Sequence, residues 1–245
     1  MIAAVDRAAQ LLLVFAGAKS DLTLAELARI SGIAKPTAFR ILSTLAGDGL
    51  VIHNQATGTY NLGFFVLRLA DTALAGFPIR DVARPIMRQI RDAVNETVVL
   101  SIRLGDFRYN IDSLESTHAI GQSQQVGVPI PLYAGAASRI ILANMPTDEL
   151  ESYLARTELK PFTATTITDR GRLLKEIKHI QQQQYALSSG EFSGAGYAIA
   201  AAIRDSTGRA TAALHITIPR ARFTKELERR CIDELVKAAQ KLGNS

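Results

Sequence analysis

Apolar residues recur at helical spacing three times within the first fifty positions of the chain. The first predicted helix covers residues 3–16, and its apolar stripe consists of Val5, Ala9, Leu12, Leu13 and Ala16. Three more apolar residues lie outside that stripe, namely Leu11, Val14 and Phe15. This is more apolar surface than one small core needs. We expect the surplus to be buried between two copies of the domain, and the alternative is that Leu11 and Phe15 pack under a later helix.

The second helix is short and has a defined start. Thr23 and Glu26 form the capping-box pattern TLAE, in which each side chain accepts a backbone amide at the start of the helix. We expect this helix to end at Gly32. A turn there leads into a third helix, predicted from Ala34 to about Gly47, with Pro36 in a first turn that can spare its amide.

The third helix divides into an apolar face and a polar face. At 100° per residue, the apolar face carries Ala38, Ile41, Leu42 and Leu45. The opposite face carries Pro36, Arg40, Ser43 and Gly47, with Phe39 and Thr44 at its edges. Taken alone, this pattern fits an ordinary amphipathic helix with a solvated polar face equally well. An aromatic ring exposed beside an arginine favours a face that meets DNA.

Two short β runs follow in LVIHNQATGTYNLG, around a turn at residues 56–58. Two helices joined by a tight turn and followed by a hairpin are typical of a winged helix-turn-helix domain. In that domain the second helix reaches base edges and phosphates, and the hairpin contacts the DNA backbone or the minor groove. The predicted DNA-binding residues are Lys35, Pro36, Thr37, Phe39, Arg40, Ser43, Thr44, His53 and Thr59.

Composition and charge are compatible with this interpretation but do not establish it. The 245 residues are 47% hydrophobic, enough for one large domain or two smaller ones, and carry a net charge of +5. Because we find neither a run of eighteen apolar residues nor a signal peptide, we expect a cytoplasmic protein. The single cysteine, Cys231, cannot form an internal disulfide. Its charged surroundings predict a surface helix in which it has no special role.

The remaining sequence mixes helices with antiparallel strands. Residues 63–77 carry a helical stripe and are punctuated by Gly76 and Pro78, which predicts a linker helix. Another helix is predicted over residues 80–95. Strands are predicted over residues 97–105, 107–116, 120–126, 185–188, 198–204 and 210–218. The fold class is therefore α+β, with helices packed on a sheet.

The sequence gives little support for an enzyme or a metal site. The residues that could suggest hydrolysis are Ser138, Ser189, Ser193, His118, His179 and His215. None of these serines lies in a G-x-S-x-G nucleophile motif, and the histidines lack the H-E-x-x-H and C-x-x-C spacings of metal ligands. We therefore predict no catalytic residue, metal or cofactor. A sensory module that acts only through protein partners is a third class, and the DNA-facing side of the third helix argues against it.

The order of these segments resembles the IclR-type transcriptional regulators. The resemblance begins at Val5 and extends to about the C-terminus. It runs through VDRAAQLLLVF, LTLAELARISGIAKPTAFRILSTLAGDGLV, TGTYNLG, IRDVARPIMRQIRDAVNETVVLSI, VGVPIPLYAGAASRIILA, TITDRGRLLKEIKHIQQQQYAL and IAAAIRDSTGRATAALHITIP. It implies a winged helix-turn-helix domain over residues 1–62, a linker helix over 63–77 and a GAF-like effector-binding domain with an antiparallel sheet over 78–245. It also implies a palindromic operator in double-stranded DNA, a small organic acid as effector, and a homodimer or homotetramer.

The resemblance also implies an effector pocket at the start of a helix near Gly135. The matching residues are Gly135, Ala136, Ala137, Ser188, Ala198, His215 and Thr217. Free amides at a helix N-terminus favour an anion. His215 and Thr217 are two apart on one strand, so they face the same side and can complete the hydrogen bonds of a carboxylate. The alternative for His215 is a core histidine with satisfied hydrogen bonds.

Four of these positions depart from the family pattern. Relatives that bind small polar acids often carry Asp, Cys and two Ser where this sequence has Ser188, Ala198, His215 and Thr217. Because the pocket has lost a charge and a thiol, we hypothesise an acid with a larger, less polar body, such as an aromatic acid. Its predicted walls are Tyr133, Val128 and Tyr197. Effector binding is expected to change the spacing of two recognition helices through the linker helix, with repression and activation both open.

Overall fold

The chain divides into two compact units, Met1–Phe77 and Pro78–Ser245. The computed structural model describes residues 2–18, 21–119, 121, 124–192, 194, 196–205 and 207–243. Within those ranges, no helix is both long enough and apolar enough to cross a lipid bilayer.

The first unit is a winged helix-turn-helix domain. Its helices are α1 (Ala3–Ala16), α2 (Leu24–Ser31), α3 (Lys35–Gly47) and α4 (Phe65–Ala75). Its strands are β1 (Leu22–Thr23), β2 (Val51–Asn54) and β3 (Thr59–Leu62), which pair antiparallel in the order β1-β3-β2. Leu11, Leu27 and Leu42 are fully buried in one core that α1, α2 and α3 share.

Local chemistry sets the ends of α2 and α3 as the sequence predicts. The Thr23 hydroxyl accepts the Glu26 amide at 3.3 Å, and the Glu26 carboxylate accepts the Thr23 amide at 2.8 Å, which completes the capping box. Gly32 closes α2 with a left-handed φ of 69°. Pro36 lies in the first turn of α3, where no intrahelical bond needs its amide. The predicted ends of both helices are confirmed.

The apolar stripe predicted for α1 is not the face of the helix that packs into the core, so this prediction is wrong. Leu11 and Phe15 are buried in the core of α1, α2 and α3, whereas Val5 is 64% and Leu13 is 71% exposed. No residue of α4 belongs to that core among the described residues, so packing under the later helix is not observed either. Apolar residues cover most of the circumference of α1, so the helical period cannot identify the face that α2 and α3 cover.

The second unit is an antiparallel sheet covered by helices. In the described part of the chain this sheet has six strands: β4 (Thr97–Leu104), β5 (Phe107–Leu114), β6 (Pro129–Pro131), β7 (Tyr185–Ser189), β8 (Gly196–Arg204) and β9 (Ala210–Pro219). Their order is β6-β5-β4-β9-β8-β7. The helices are α5 (Ile79–Val94), α6 (Ala136–Ala143), α7 (Thr147–Arg156), α8 (Arg170–Gln183) and α9 (Lys225–Gly243).

Helix α6 lies at the centre of one layer of this unit. It packs on β7, β8, β9 and α8, and every one of its residues is buried. Helices α5 and α9 pack on each other and also on the sheet. The predicted α+β class, with helices on an antiparallel sheet, is confirmed.

The strand predicted over residues 120–126 is wrong where it can be compared. Residues 120, 122 and 123 lie outside the described residues, and residues 121 and 124–126 are not in a strand. The strand that pairs with β5 is Pro129–Pro131 instead. Proline lacks an amide donor and is tolerated at the edge of a sheet, so this short edge strand gives a weak strand signal in the sequence.

The surface position predicted for Cys231 is also wrong. Its side chain is fully buried in α9, on the same stripe as Leu235 and Leu242. Burial raises the pKa of the thiol to about 12, so the group stays protonated. The charged residues around Cys231 occupy the other face of an amphipathic helix, which made the whole segment resemble a surface helix.

Candidate functional site

The outer face of α3 carries most of the predicted DNA-binding residues. Lys35, Pro36, Phe39, Arg40, Ser43 and Thr44 are exposed, and Thr37 is half-buried. Phe39 is 50% exposed, although the neighbouring Ala38 is fully buried. Arg40 forms no salt bridge with any described residue, so its guanidinium is available to a phosphate or a base.

A surface groove of about 510 Å³ follows this face. Its lining consists of Thr37, Phe39, Arg40, Ile41, Ser43 and Thr44 from α3 and Ala4 and Arg7 from α1. Arg7 is not among the DNA-binding residues predicted from the sequence. The available signal was a basic residue near the start of an otherwise largely apolar helix, and only the packing of α1 on α3 brings it beside Arg40.

Two hydroxyl groups on α3 donate hydrogen bonds to the backbone of the helix. Ser43 Oγ donates to the Phe39 carbonyl at 2.9 Å, and Thr44 Oγ1 donates to the Arg40 carbonyl at 3.1 Å. The outward lone pairs of both oxygens remain free to accept. These side chains can therefore accept hydrogen bonds from the amino groups of adenine or cytosine in a major groove.

The wing is the hairpin of β2 and β3. Asn54 Oδ1 accepts the Ala56 amide at 3.0 Å, and Gly58 has a φ of 68°, so an Asx turn and a left-handed glycine build its tip. His53 is exposed and stacks on the buried Tyr60 ring at a centroid distance of 4.3 Å. Thr59 is half-buried, and its hydroxyl shares a hydrogen bond with the Thr57 hydroxyl. The structure thus places His53 and Thr59 on opposite strands of this wing.

A cavity in the second unit is lined by all the predicted effector residues. They are Gly135, Ala136, Ala137, Ser188, Ala198, His215 and Thr217. Strand register explains their convergence, because Ser188 pairs with Ala198 and Ala198 pairs with Thr217 across three strands. Paired residues of an antiparallel sheet point to the same face. The cavity volume is about 60 Å³, below the roughly 150 Å³ of a protein cavity that holds benzene.

The start of α6 closes one side of this cavity. Gly135 is the N-cap residue and has φ 83° and ψ 163°, a conformation essentially restricted to glycine. Glycine has no side chain that could accept the amides of the first turn. The amides of Ala136 and Ala137 are therefore available at the cavity, together with the positive end of the helix dipole.

The cavity also contains Arg108, which is not among the effector-binding residues predicted from the sequence. The Arg108 side chain on β5 is 5% exposed in the native fold. It donates to Ser138 Oγ at 3.0 Å, Ser101 Oγ at 2.9 Å and Asn110 Oδ1 at 2.5 Å. Burial lowers its pKa to about 10, so it is still a cation at neutral pH. The sequence shows Arg108 and Asn110 at alternate positions of a predicted strand, but that alternation does not show which face of the sheet borders the cavity.

His215 lies beside this cation. It is 2% exposed, and its Nδ1 lies 3.4 Å from Ser101 Oγ. Burial, and then the charge of Arg108, hold the pKa of His215 well below its ordinary value of 6.5, so the imidazole is neutral at neutral pH. The Thr217 hydroxyl is buried without a hydrogen-bond partner among the described residues. His215 is thus both a buried core histidine and a wall of the cavity.

The predicted apolar walls are only partly in place. Tyr197 lines the cavity, and its ring stacks on Phe223 at a centroid distance of 3.7 Å. Tyr133 and Val128 are not among the described lining residues. Tyr133 is buried in the core around α6, and its hydroxyl donates to the Lys160 carbonyl at 2.9 Å. Gly190, Glu191 and Phe192 also line the cavity, and none of them was predicted from the sequence.

Among the described residues considered for hydrolysis, neither Ser138 nor Ser189 is hydrogen-bonded to a histidine. Ser138 Oγ accepts a hydrogen bond from Arg108, and His118 and His179 are exposed. Ser193 lies outside the described residues. Among the residues that the structure does describe, no three His, Cys, Asp or Glu side chains are grouped as metal ligands.

Comparisons with known proteins cover nearly the whole chain. Residues 71–244 match the family described as bacterial transcriptional regulator IclR C-terminal, and residues 4–54 match the IclR helix-turn-helix domain. The HTH-type transcriptional regulator KipR of Bacillus subtilis is 32% identical, over 92% of this chain and 91% of its own.

Two solved structures extend this comparison. The Thermotoga maritima IclR structure is 26% identical with a TM-score of 0.79 and covers 99% of this chain and 100% of its own. An IclR homolog from Microbacterium hydrocarbonoxydans, complexed with 4-hydroxybenzoate, is 22% identical with a TM-score of 0.78 and covers 98% of each chain. At 22% identity, the similarity to the Microbacterium hydrocarbonoxydans structure shows a shared fold.

Proposed function

The chain belongs to the IclR family of bacterial transcriptional regulators, and on that premise we propose that a small organic acid controls its binding to a palindromic operator. In this proposal residues 1–62 bind DNA, residues 63–77 are a linker helix, and residues 78–245 bind the effector. The observation that supports DNA binding is the exposed face of α3, where Phe39 and Arg40 are solvent-exposed and line a groove.

Double-stranded DNA fits the chemistry of this face. An arginine without an acidic partner can pair with a phosphate or with guanine, and an exposed phenylalanine can contact a thymine methyl group. We assign direct contacts to the residues predicted from the sequence, namely Lys35, Pro36, Thr37, Phe39, Arg40, Ser43 and Thr44 on α3 and His53 and Thr59 on the wing. Arg7 is added as a phosphate contact, because it lines the same groove.

A homodimer, or a homotetramer built from dimers, fits the uncovered apolar surface of the first unit. We name Ile2, Val5 and Leu13 the α1 strip, because all three lie on one side of α1 and are 72%, 64% and 71% exposed. Helix α4 likewise has no buried residue and exposes Leu67 and Leu69. A palindromic operator needs two symmetry-related readers, and the α1 strip provides a surface through which two copies can associate.

An organic acid fits the cavity of the second unit. The α6 amides, the Thr217 hydroxyl and the Arg108 cation all suit a carboxylate. The cavity volume of about 60 Å³ favours a body of a few heavy atoms. An aromatic acid is accommodated only if the walls of the cavity move apart.

The mechanism is a shift between two arrangements of the chain. An acid that binds one arrangement better raises its population, and the linker helix transmits the change to the spacing of two α3 helices. In this family assignment the protein has no catalytic step. Repression and activation differ only in which arrangement binds the operator.

Binding to the DNA that flanks its own gene tests the proposal. Fluorescence anisotropy with the full-length protein is expected to show specific binding that weakens steeply with salt, because phosphate contacts release counterions. Arg40→Ala should weaken binding by about 1–3 kcal/mol, which is roughly 5- to 150-fold in Kd. Arg170→Ala removes the same charge from an exposed position on α8 and should leave the affinity unchanged.

Two results would count against DNA binding through α3. Equal losses in the Arg40→Ala and Arg170→Ala variants would point to general charge rather than to the α3 face. Equal affinity for the flanking DNA and for random DNA would remove operator recognition at that site.

A further inference from the structure

Arg108 differs from every other buried charged residue in the described part of the chain. Four others are buried, and each has an oppositely charged partner: Glu96 pairs with Arg222, Asp112 with Arg84, and Arg139 with Glu191. The partners of Arg108 are Ser101, Asn110 and Ser138, which are all neutral. A buried charge without a counter-ion is rare in a folded protein, because its desolvation is not offset.

The guanidinium of Arg108 has hydrogen-bond donors that no described residue accepts. Its Nε bonds Ser138, and its Nη1 bonds both Ser101 and Asn110. A guanidinium has five N–H groups, so the two on Nη2 have no partner among the described residues. Nη2 lacks a partner among these residues but is not fully buried, so part of this nitrogen is accessible. Arg108 lines the cavity.

A second unpartnered group lies in the same cavity. Thr217 is 5% exposed, and its Oγ1 has no hydrogen-bond partner in the part of the chain that the structure describes. With the amides of Ala136 and Ala137 at the start of α6, the cavity combines one full positive charge with three neutral hydrogen-bonding groups. All four suit one carboxylate group.

The other charged residue of the cavity lining, Glu191, provides no positive charge for a second carboxylate. Glu191 is the acidic residue of the lining, and it is held by Arg139. His215 is neutral. The lining therefore carries one unpaired positive charge and no further free cation among the described residues.

We propose that Arg108 is the counter-ion of the effector, and that the cavity thereby selects monocarboxylates over their neutral amides and over dicarboxylates. This rests on the proposed function of the second unit as an effector-binding domain. It assigns the charge specificity of that domain to a residue on β5, outside the positions that the family resemblance supplied.

Matched pairs of ligands test the selection on the full-length wild-type protein. Pyruvate is compared with pyruvamide and oxaloacetate, and benzoate with benzamide and phthalate, by isothermal titration calorimetry. The monocarboxylate of at least one set is expected to bind at least about tenfold more tightly than its amide and its dicarboxylate, since charge-assisted pairing exceeds a neutral hydrogen bond. This experiment uses only the wild-type protein, so its result does not depend on whether a variant with a substitution at a buried position folds.

Variants then assign the effect to Arg108. Arg108→Gln should lose most of the affinity for the acid while changing that for the amide little, and Arg108→Lys should keep part of it because the charge is retained. Arg103→Gln is the control, because Arg103 lies on the adjacent strand β4, pairs with Glu149 and does not line the cavity.

The outcomes separate this inference from the proposed function. Equal binding of acid and amide to the wild-type protein overturns the role of Arg108, while the effector-binding domain stands. Undiminished acid binding by a folded Arg108→Gln variant has the same meaning. Failure of every acid in the panel to bind the wild-type protein overturns the inference together with its premise.

Discussion

At the scale of single residues, the buried imidazole of His215 links folding to pH. Its pKa is held well below 6.5 in the folded protein, whereas the unfolded chain binds a proton near that value. The unfolded state therefore holds more protons between the two values. Stability contributed by neutral His215 is complete above about pH 6.5 and falls as the pH drops through that window.

Replacing His215 by glutamine should remove this dependence. In the wild-type protein His215 is expected to contribute a slope of up to about 1.4 kcal/mol per pH unit below its ordinary pKa. Urea denaturation from about pH 5 to 8 compares His215→Gln with His179→Gln, which changes an exposed histidine. A steep acid slope that persists in His215→Gln would show that another group is responsible.

The fold brings together positions that were matched to the family pattern, and their role in binding an effector stays a prediction. Gly135, Ser188 and Thr217 were named from the sequence, and the structure brings them into one cavity. Arg108 was missed because its place depends on how β5 pairs with β4, where the register shifts between Leu100 and Ser101. A single sequence does not reveal such a bulge, so polar residues in β5 could not be assigned to the cavity side.

At the scale of elements, the start of α2 is stabilised by its capping box. Thr23→Ala removes the hydroxyl that accepts the Glu26 amide, and it should lower the free energy of unfolding of the first unit by about 1 kcal/mol. Thr23→Ser keeps the acceptor and should stay close to wild type. Chemical denaturation followed by circular dichroism measures both, and equal losses would show that the cap is not what stabilises α2.

Elements with local signals were predicted well, and elements defined by distant contacts were not. The capping box, Gly32 and Pro36 gave the ends of α2 and α3. The face of α1 and the burial of Cys231 depend on which neighbours cover a helix, and apolar residues on several sides leave that undecided. The edge strand β6 depends on pairing with β5, because its own prolines are unfavourable in strands.

At the scale of the whole molecule, the α1 strip is expected to join two copies of the chain. Leu13→Glu places a charge on this strip at a position that is 71% exposed, so the single chain should remain folded. Analytical ultracentrifugation should show a shift towards monomer, and operator binding should weaken with it. Leu104→Glu is the control, since Leu104 is an exposed leucine of the second unit. An unchanged oligomer in Leu13→Glu would place the interface elsewhere.

The coupling between acid binding and operator binding shows whether an acid controls this regulator. Linkage requires that an acid change operator affinity by the same factor by which the operator changes acid affinity. Both factors are obtained on the full-length wild-type protein, by anisotropy with and without saturating acid and by calorimetry with and without operator DNA. We expect two equal factors of about fivefold or more. An acid that binds tightly in the cavity and leaves operator affinity unchanged would contradict this expectation.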